Sequence, residues 1–400
     1  KRMDKIRKYR PTVALVLSGG GAKGAAHIGV IEHIEKVGIP VDMVLGTSMG
    51  GLIGGLYALG YTTGEMNDLV RNMDWGWAFS DRLSREYISY TDMKYREKYM
   101  LSIPFYYERD YYRMKLADEN RFDDVMRQDI LHIGADNENG GDLIKNNLLG
   151  SLPSAYIYGQ NVSNLISSLT VGYQDSMSFM EFPIPYACVA SDMVSGKAKI
   201  WHSGKINDAM RSTMSIPGMF TPVRVGGMVL VDGGLRDNYP TALAREMGAD
   251  IIIGVDLSQG RRTFSEVNNI GDIIGQGIDM LGRDAYEKNV GIPDVKINPN
   301  LREYGMMSFN PVAIDTIIAR GYRSAVEQDE LLKKVAARTT HYHPEIKLAK
   351  GLGRDSLYLS DIEILGVGAK EKALLMDRLH LDLSQRVSRD EIDKIVDRIY

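Results

Sequence analysis

A chain of 400 residues, 44% hydrophobic and 25% charged, can bury a sizeable core and has room for one large domain or two of ordinary size, which excludes a disordered or fibrous protein. Its 52 acidic and 48 basic residues leave a formal net charge of -4, so no global field draws in nucleic acid. The one cysteine, Cys188, lies in an apolar stretch and supports neither a disulfide framework nor a thiol metal cluster; it reads as buried and inert.

The chain opens at Lys1 without a methionine, followed by a basic segment up to Pro11, which suggests a processed or cloned start and a linker over residues 1–10. Residues 13–17 form a short apolar run ending in glycines, and residues 25–37 place Ile28, Ile31 and Ile34 on one helical side. A second strand is expected at 41–45, interrupted by Asp42, and a second apolar helix at 49–59. The uncharged stretch 43–64 is long enough to span a membrane, but its glycines favour a buried strand and helix. Two strand–turn–helix units in succession argue for a parallel sheet covered by helices.

From residue 75 to about 180 the pattern blurs into what reads as an insertion or cap, its first half crowded with rings from Trp75, Trp77 and Phe79 to Tyr111 and Tyr112. Strands are expected again at 186–190, 199–201, 228–231 and 251–255, the last two followed by Asp232 and Asp256 at strand carboxyl ends, where open α/β sheets carry their ligand crevice. Residues 331–353 read as a linker. In the tail, a strand at 357–365, a helix at 369–379 and a capping box of Ser388 with Glu391 form a separate small unit over 354–400.

Gly46-Thr47-Ser48-Met49-Gly50 is a G-x-S-x-G sequence between a predicted strand and a predicted helix, the context of a nucleophile elbow. The helix that follows points free N–H groups and a partial positive charge at Ser48; the plainer alternative is a serine that caps a helix. Gly19-Gly20-Gly21-Ala22-Lys23-Gly24 occupies a similar strand-to-helix position, where backbone N–H groups can converge on an oxyanion. The same glycines fit the dinucleotide spacing, with Gly19, Gly21 and Gly24 as the fingerprint and Asp42 for the ribose. A serine hydroxyl needs a base. The histidines after Asp232 fall in the linker or tail, so Asp232 in Asp232-Gly233-Gly234 is an attractive partner, its pKa raised by burial at a strand end; the alternative there is a simple turn.

Together, these three motifs resemble the signatures of the patatin-like phospholipase family in their usual order, as do Ser215-Ile216-Pro217-Gly218 and Asn238-Tyr239-Pro240 on either side of Asp232. The resemblance covers residues 11–330. It implies a three-layer α/β/α sandwich and a lipid acyl hydrolase acting on phospholipid or another acyl ester at a membrane surface. Ser48 would form an acyl-enzyme, Asp232 would serve as base, and the amides of Gly19, Gly20 and Gly21 would form the oxyanion hole. Lys23, Gly24, Gly46, Gly50, Gly233 and Gly234 complete the motifs, and no metal or organic cofactor is implied. The segment 75–180 departs from the compact plant pattern; its rings could line an acyl tunnel, sit at a membrane interface, or pack in a core and dimer surface. The tail resembles the first part of a POTRA domain, which by analogy with bacterial patatin-like autotransporters implies a location in a Gram-negative cell envelope. An inactive lipid-binding or delivery module of the same fold is the functional rival.

Overall fold

The computed structural model describes residues 2–80, 155–260, 270–343, 356–358, 368–379, 386–388 and 391. Eight strands make the main sheet: β1 (Val13–Leu17), β2 (Met43–Thr47), β3 (Tyr186–Asp192), β4 (Ala198–Trp201), β5 (Val223–Val225), β6 (Met228–Asp232), β7 (Ile251–Val255) and β8 (Val295–Ile297). Their order is β8-β7-β1-β2-β3-β6-β5, with β4 added on β3. The first five in that order run parallel, whereas β4 and β6 run antiparallel to β3, and β5 antiparallel to β6.

The period of two along the central strands sorts the core into layers. Val13, Leu15 and Leu17 of β1 join Val44, Ile251 and Ile253 in one apolar cluster, while Ala14 and Val16 join Met43, Leu45 and Ile252 in another. Each face is therefore packed separately, and β1, β2 and β7 are buried throughout, as parallel strands under helices must be. The chain is an α/β protein with a mixed, mostly parallel sheet. The ten residues of the helix Met49–Ala58 are all buried, so the apolar stretch is a strand and a core helix; no helix among the described residues is long and apolar enough to cross a membrane.

β2 starts two residues later than its composition suggests because Asp42 is spent on a buried ion pair. Arg10 Nη1 and Nη2 donate to its two carboxylate oxygens at 2.6 and 2.8 Å, and Val13 N donates at 2.8 Å. Residues 1–10 are thus not a linker. They contain the helix Arg2–Arg7, which buries Ile6, and they deliver Arg10 to the core. Removing one partner strands the other charge away from water, so Asp42→Ala is expected to cost about 3–5 kcal/mol, read from urea unfolding at neutral pH.

The domain also continues past residue 330. The helix Asp329–Thr339 buries Leu332, Val335 and Ala336, and Arg10 Nε donates to Tyr342 O at 2.6 Å. The flanks of the expected insertion belong to the main unit: contacts divide the chain into 1–81 with 155–400, and 82–154. Trp75 stacks on Phe309 and Phe79 packs edge-on against Phe220, so these two rings pack against the core; Tyr87 to Tyr112 lie outside the described residues. Cys188 is fully buried and its thiol is pushed up to about 12 by desolvation. In the tail, Ser356–Tyr358 pairs antiparallel with Arg386–Ser388, the helix Ala369–Leu379 lies between them in sequence, and Ser388 and Glu391 exchange capping hydrogen bonds.

Candidate active site

The register of β3 decides what meets at the centre of the sheet. It has three partners and two edges: β2 pairs with 186–189, β4 with 188–191 and β6 with 190–192. Since β4 overlaps both of the others, β2 and β6 must share an edge, and they run head-on along it. Thr47 ends β2 opposite Val189, and Asp232 ends β6 opposite Ala190. Two residues far apart in sequence are thereby brought together on successive rungs of one strand.

Immediately after Thr47 the chain turns through Ser48 at φ 54°, the one non-glycine residue with positive φ among those described. That conformation is costly for a residue with a Cβ and lifts the side chain clear of the corner. Close packing explains the flanking glycines: a Cβ on Gly50 would strike the Leu17 carbonyl, and one on Gly46 would strike the Gly50 backbone. Ser48 Oγ donates to Asp232 Oδ2 at 2.7 Å, and Gly234 N donates to Asp232 Oδ1 at 2.8 Å. Both residues are buried, Ser48 at 6% and Asp232 at 3% exposure. Burial pushes the Asp232 carboxyl up to about 6 against the opposing pull of these hydrogen bonds.

Thr213 pins the strained corner. Ser48 N donates to Thr213 Oγ1 at 2.9 Å, Thr213 Oγ1 donates on to Val189 O, and Gly233 N donates to Thr213 O at 3.3 Å. One buried side chain and its carbonyl thereby tie both members of the pair to β3. Nothing in the local sequence announces this role. Asp237 is also pushed up to about 6 by burial, but it braces the turn after β6: its Oδ1 accepts from Tyr239 N and Asn289 Nδ2.

The glycine turn follows β1 as expected and touches Ser48, with a Cβ on Gly19 falling 3.0 Å from the Ser48 Cβ. Its donors differ from expectation. Gly19 N is engaged, donating to Asn238 O at 3.2 Å, whereas Gly20 N and Gly21 N make no hydrogen bond among the described residues. A 3-10 turn over Gly21–Ala25 buries Lys23, and Gly24 packs on Met49. His27, fully buried beneath the turn, donates from Nε2 to Ser18 O at 2.8 Å; desolvation pulls its pKa down to about 4, so it is neutral. Among the described residues no histidine hydrogen-bonds to Ser48 or Asp232.

The dinucleotide alternative fails on geometry. Asp42 sits beside Val13 at the start of β1, while the glycine turn follows Leu17 at the other end, roughly 13 Å away along the strand. Its carboxylate is, moreover, fully committed to Arg10 and Val13.

A model described as Patatin-like phospholipase matches residues 15–245. Among curated proteins, the chain is 25% identical over 284 residues to Lysophospholipase NTE1 of Meyerozyma guilliermondii, covering 71% of this chain and 15% of that protein. It is 27% identical over 248 residues to an uncharacterized NTE family protein of Mycobacterium tuberculosis, covering 62% of this chain and 49% of that protein. The chain thus spans about a seventh of the fungal relative and about half of the mycobacterial one. Among solved structures it is similar to VipD from Legionella pneumophila at 15% identity and a TM-score of 0.40, covering 81% of this chain and 67% of that one.

Proposed function

The chain belongs to the patatin-like phospholipase family, and from that premise we propose that it is a lipid acyl hydrolase of the phospholipase A type, with Ser48 as nucleophile and Asp232 as its base. One observation carries the reading: Ser48 stands at a strained strand-to-helix corner with its Oγ 2.7 Å from a buried carboxylate whose pKa is raised to about 6.

At neutral pH Asp232 is largely ionised yet more basic than an ordinary carboxylate, which suits a general base. It takes the Ser48 proton as Oγ attacks the ester carbonyl carbon. The carbonyl oxygen, now anionic, is met by the N–H groups of Gly20 and Gly21, with the partial charge of the helix starting at Met49 behind Ser48. Collapse breaks the bond to the alcohol oxygen, which leaves with the proton held by Asp232, and Ser48 keeps the acyl group. Water then attacks, Asp232 takes its proton, and the fatty acid departs as the serine is restored.

Thr213 acts as a positioning residue. Thr213→Val removes the acceptor of Ser48 N and the donor to Val189 O, so it is expected to lower kcat about tenfold, leave KM near its original value, and cost about 2 kcal/mol of stability; steady-state kinetics and thermal unfolding check both.

The substrate is proposed to be a phospholipid or lysophospholipid presented at a membrane surface, with names such as Lysophospholipase NTE1 among the relatives as support. An envelope location in a Gram-negative cell, a POTRA-like unit over 354–400 and a homodimer remain proposals that rest on the tail's sequence pattern and the aromatic segment. The test is a substrate panel: a lysophospholipid, a diacyl phospholipid and a p-nitrophenyl ester, compared between wild type and Ser48→Ala. Turnover of the lipids by wild type alone supports the reading; a folded wild type inert towards all three overturns it.

A further inference from the structure

A polar cleft of about 340 Å³ opens at the carboxyl ends of β7 and β8, lined by Asp256, Ser258, Tyr286, Lys296, Asn300 and Arg302 among others, with no aliphatic side chain. The chemistry proposed above leaves it unused. Its walls are nevertheless the segments that support the glycine turn. Leu257, between Asp256 and Ser258, contacts Gly20 and donates its N–H to Ser18 Oγ at 2.8 Å. Met306, in the same connection as Asn300 and Arg302, closes over Gly21.

The cleft's charges select the sign of a ligand. Asp256 is 1% exposed and already satisfied, accepting from Tyr286 Oη at 2.8 Å, Ser258 N at 2.9 Å and Lys296 Nζ at 3.0 Å. That pairing anchors Lys296 on the wall and neutralises the carboxylate. Arg302 lies against Gly260 and makes no ion pair or side-chain hydrogen bond among the described residues, and the Asn300 side chain makes none either. One buried carboxylate against two cations leaves a net positive, donor-rich hollow, suited to an anion with several oxygens and unsuited to an acyl chain.

Reach agrees. β1 lies between β2 and β7, so the residues that follow those strands, Ser48 and Asp256, stand about 10 Å apart. A glycerol ester places its phosphorus about 7 Å from the attacked carbonyl carbon.

We infer that this cleft binds the phosphate group of the lipid head, an inference that rests on the hydrolase reading above. Calorimetric titration of glycerophosphocholine into Ser48→Ala protein is expected to show binding that Arg302→Gln weakens about tenfold or more and Arg302→Lys partly restores. In turnover, Arg302→Gln is expected to lower the ratio of kcat/KM for a lysophospholipid over that for the matching monoacylglycerol about tenfold. Binding of inorganic phosphate but not of the diester, binding indifferent to Arg302, or an unchanged ratio overturns the assignment to a lipid head. Hydrolysis of neutral esters without any diester binding overturns this inference and leaves the hydrolase reading standing. Arg302-dependent diester binding by a wild type inert towards every ester does the reverse.

Discussion

Replacing Ser48 with alanine or glycine is expected to lower ester turnover by about 10⁴-fold or more, the loss that follows removal of a nucleophile when the rest of a site is left to bind. The glycine variant is expected to be the more stable protein. Ser48 holds φ 54° and ψ -127°, a backbone conformation that glycine adopts without a Cβ penalty, so Ser48→Gly should be about 1 kcal/mol more stable than Ser48→Ala, both having lost the hydroxyl that donates to Asp232. A serine that merely capped the helix would behave otherwise. Its side chain makes no capping hydrogen bond to that helix, so neither variant has a cap to lose. Turnover of a p-nitrophenyl ester and the midpoint of urea unfolding, measured on the same preparations, check the pair of effects.

Asp232→Asn is expected to cost about 10³–10⁴-fold in kcat/KM, because the amide can accept from Gly234 N and face Ser48 yet cannot take a proton. The pH dependence of wild type follows with a definite sign. With Asp232 as the proposed base the working form is the carboxylate, so activity is expected to be lost as pH falls through about 6, well above the range of an ordinary aspartate. Stability runs the other way. A carboxyl whose pKa is raised from 3.8 to about 6 on folding favours the folded state below 3.8, and this contribution disappears as pH rises through 6. The burden on wild type at pH 8 is on the order of 3 kcal/mol. Asp232→Asn, carrying no buried charge, is expected to recover part of it at pH 8 and none at pH 4. Unfolding curves of the two proteins at those pH values measure the difference.

The sequence shows the site's parts more clearly than their assembly. Glycine turns after apolar runs mark the ends of β1 and β2, and Asp232 closes an apolar strand, because local pattern alone sets these features. What joins them is non-local. The head-on meeting of β2 and β6 depends on the register of β3, and Thr213 reaches Ser48 across 165 positions with no motif of its own. Gly19 looks like a free donor until Asn238 supplies its acceptor from 219 positions away. The domain ends are obscured for a related reason: the basic start has one buried apolar residue, Ile6, and its anchor is the charge pair of Arg10 with Asp42. Residues 331–339 are different. Leu332, Val335 and Ala336 repeat at helical spacing, so their burial was legible in the chain.

Ser48 as nucleophile, activated by a neighbouring carboxylate, is the proposal on which the hydrolase reading stands. Peptide mass mapping after treatment with a fluorophosphonate tests it most directly. The expected result is a single adduct on Ser48, formed at a rate that rises with pH through about 6 and is strongly reduced in Asp232→Asn. An adduct on another residue, or ester turnover by a folded protein whose Ser48 never reacts, would contradict it.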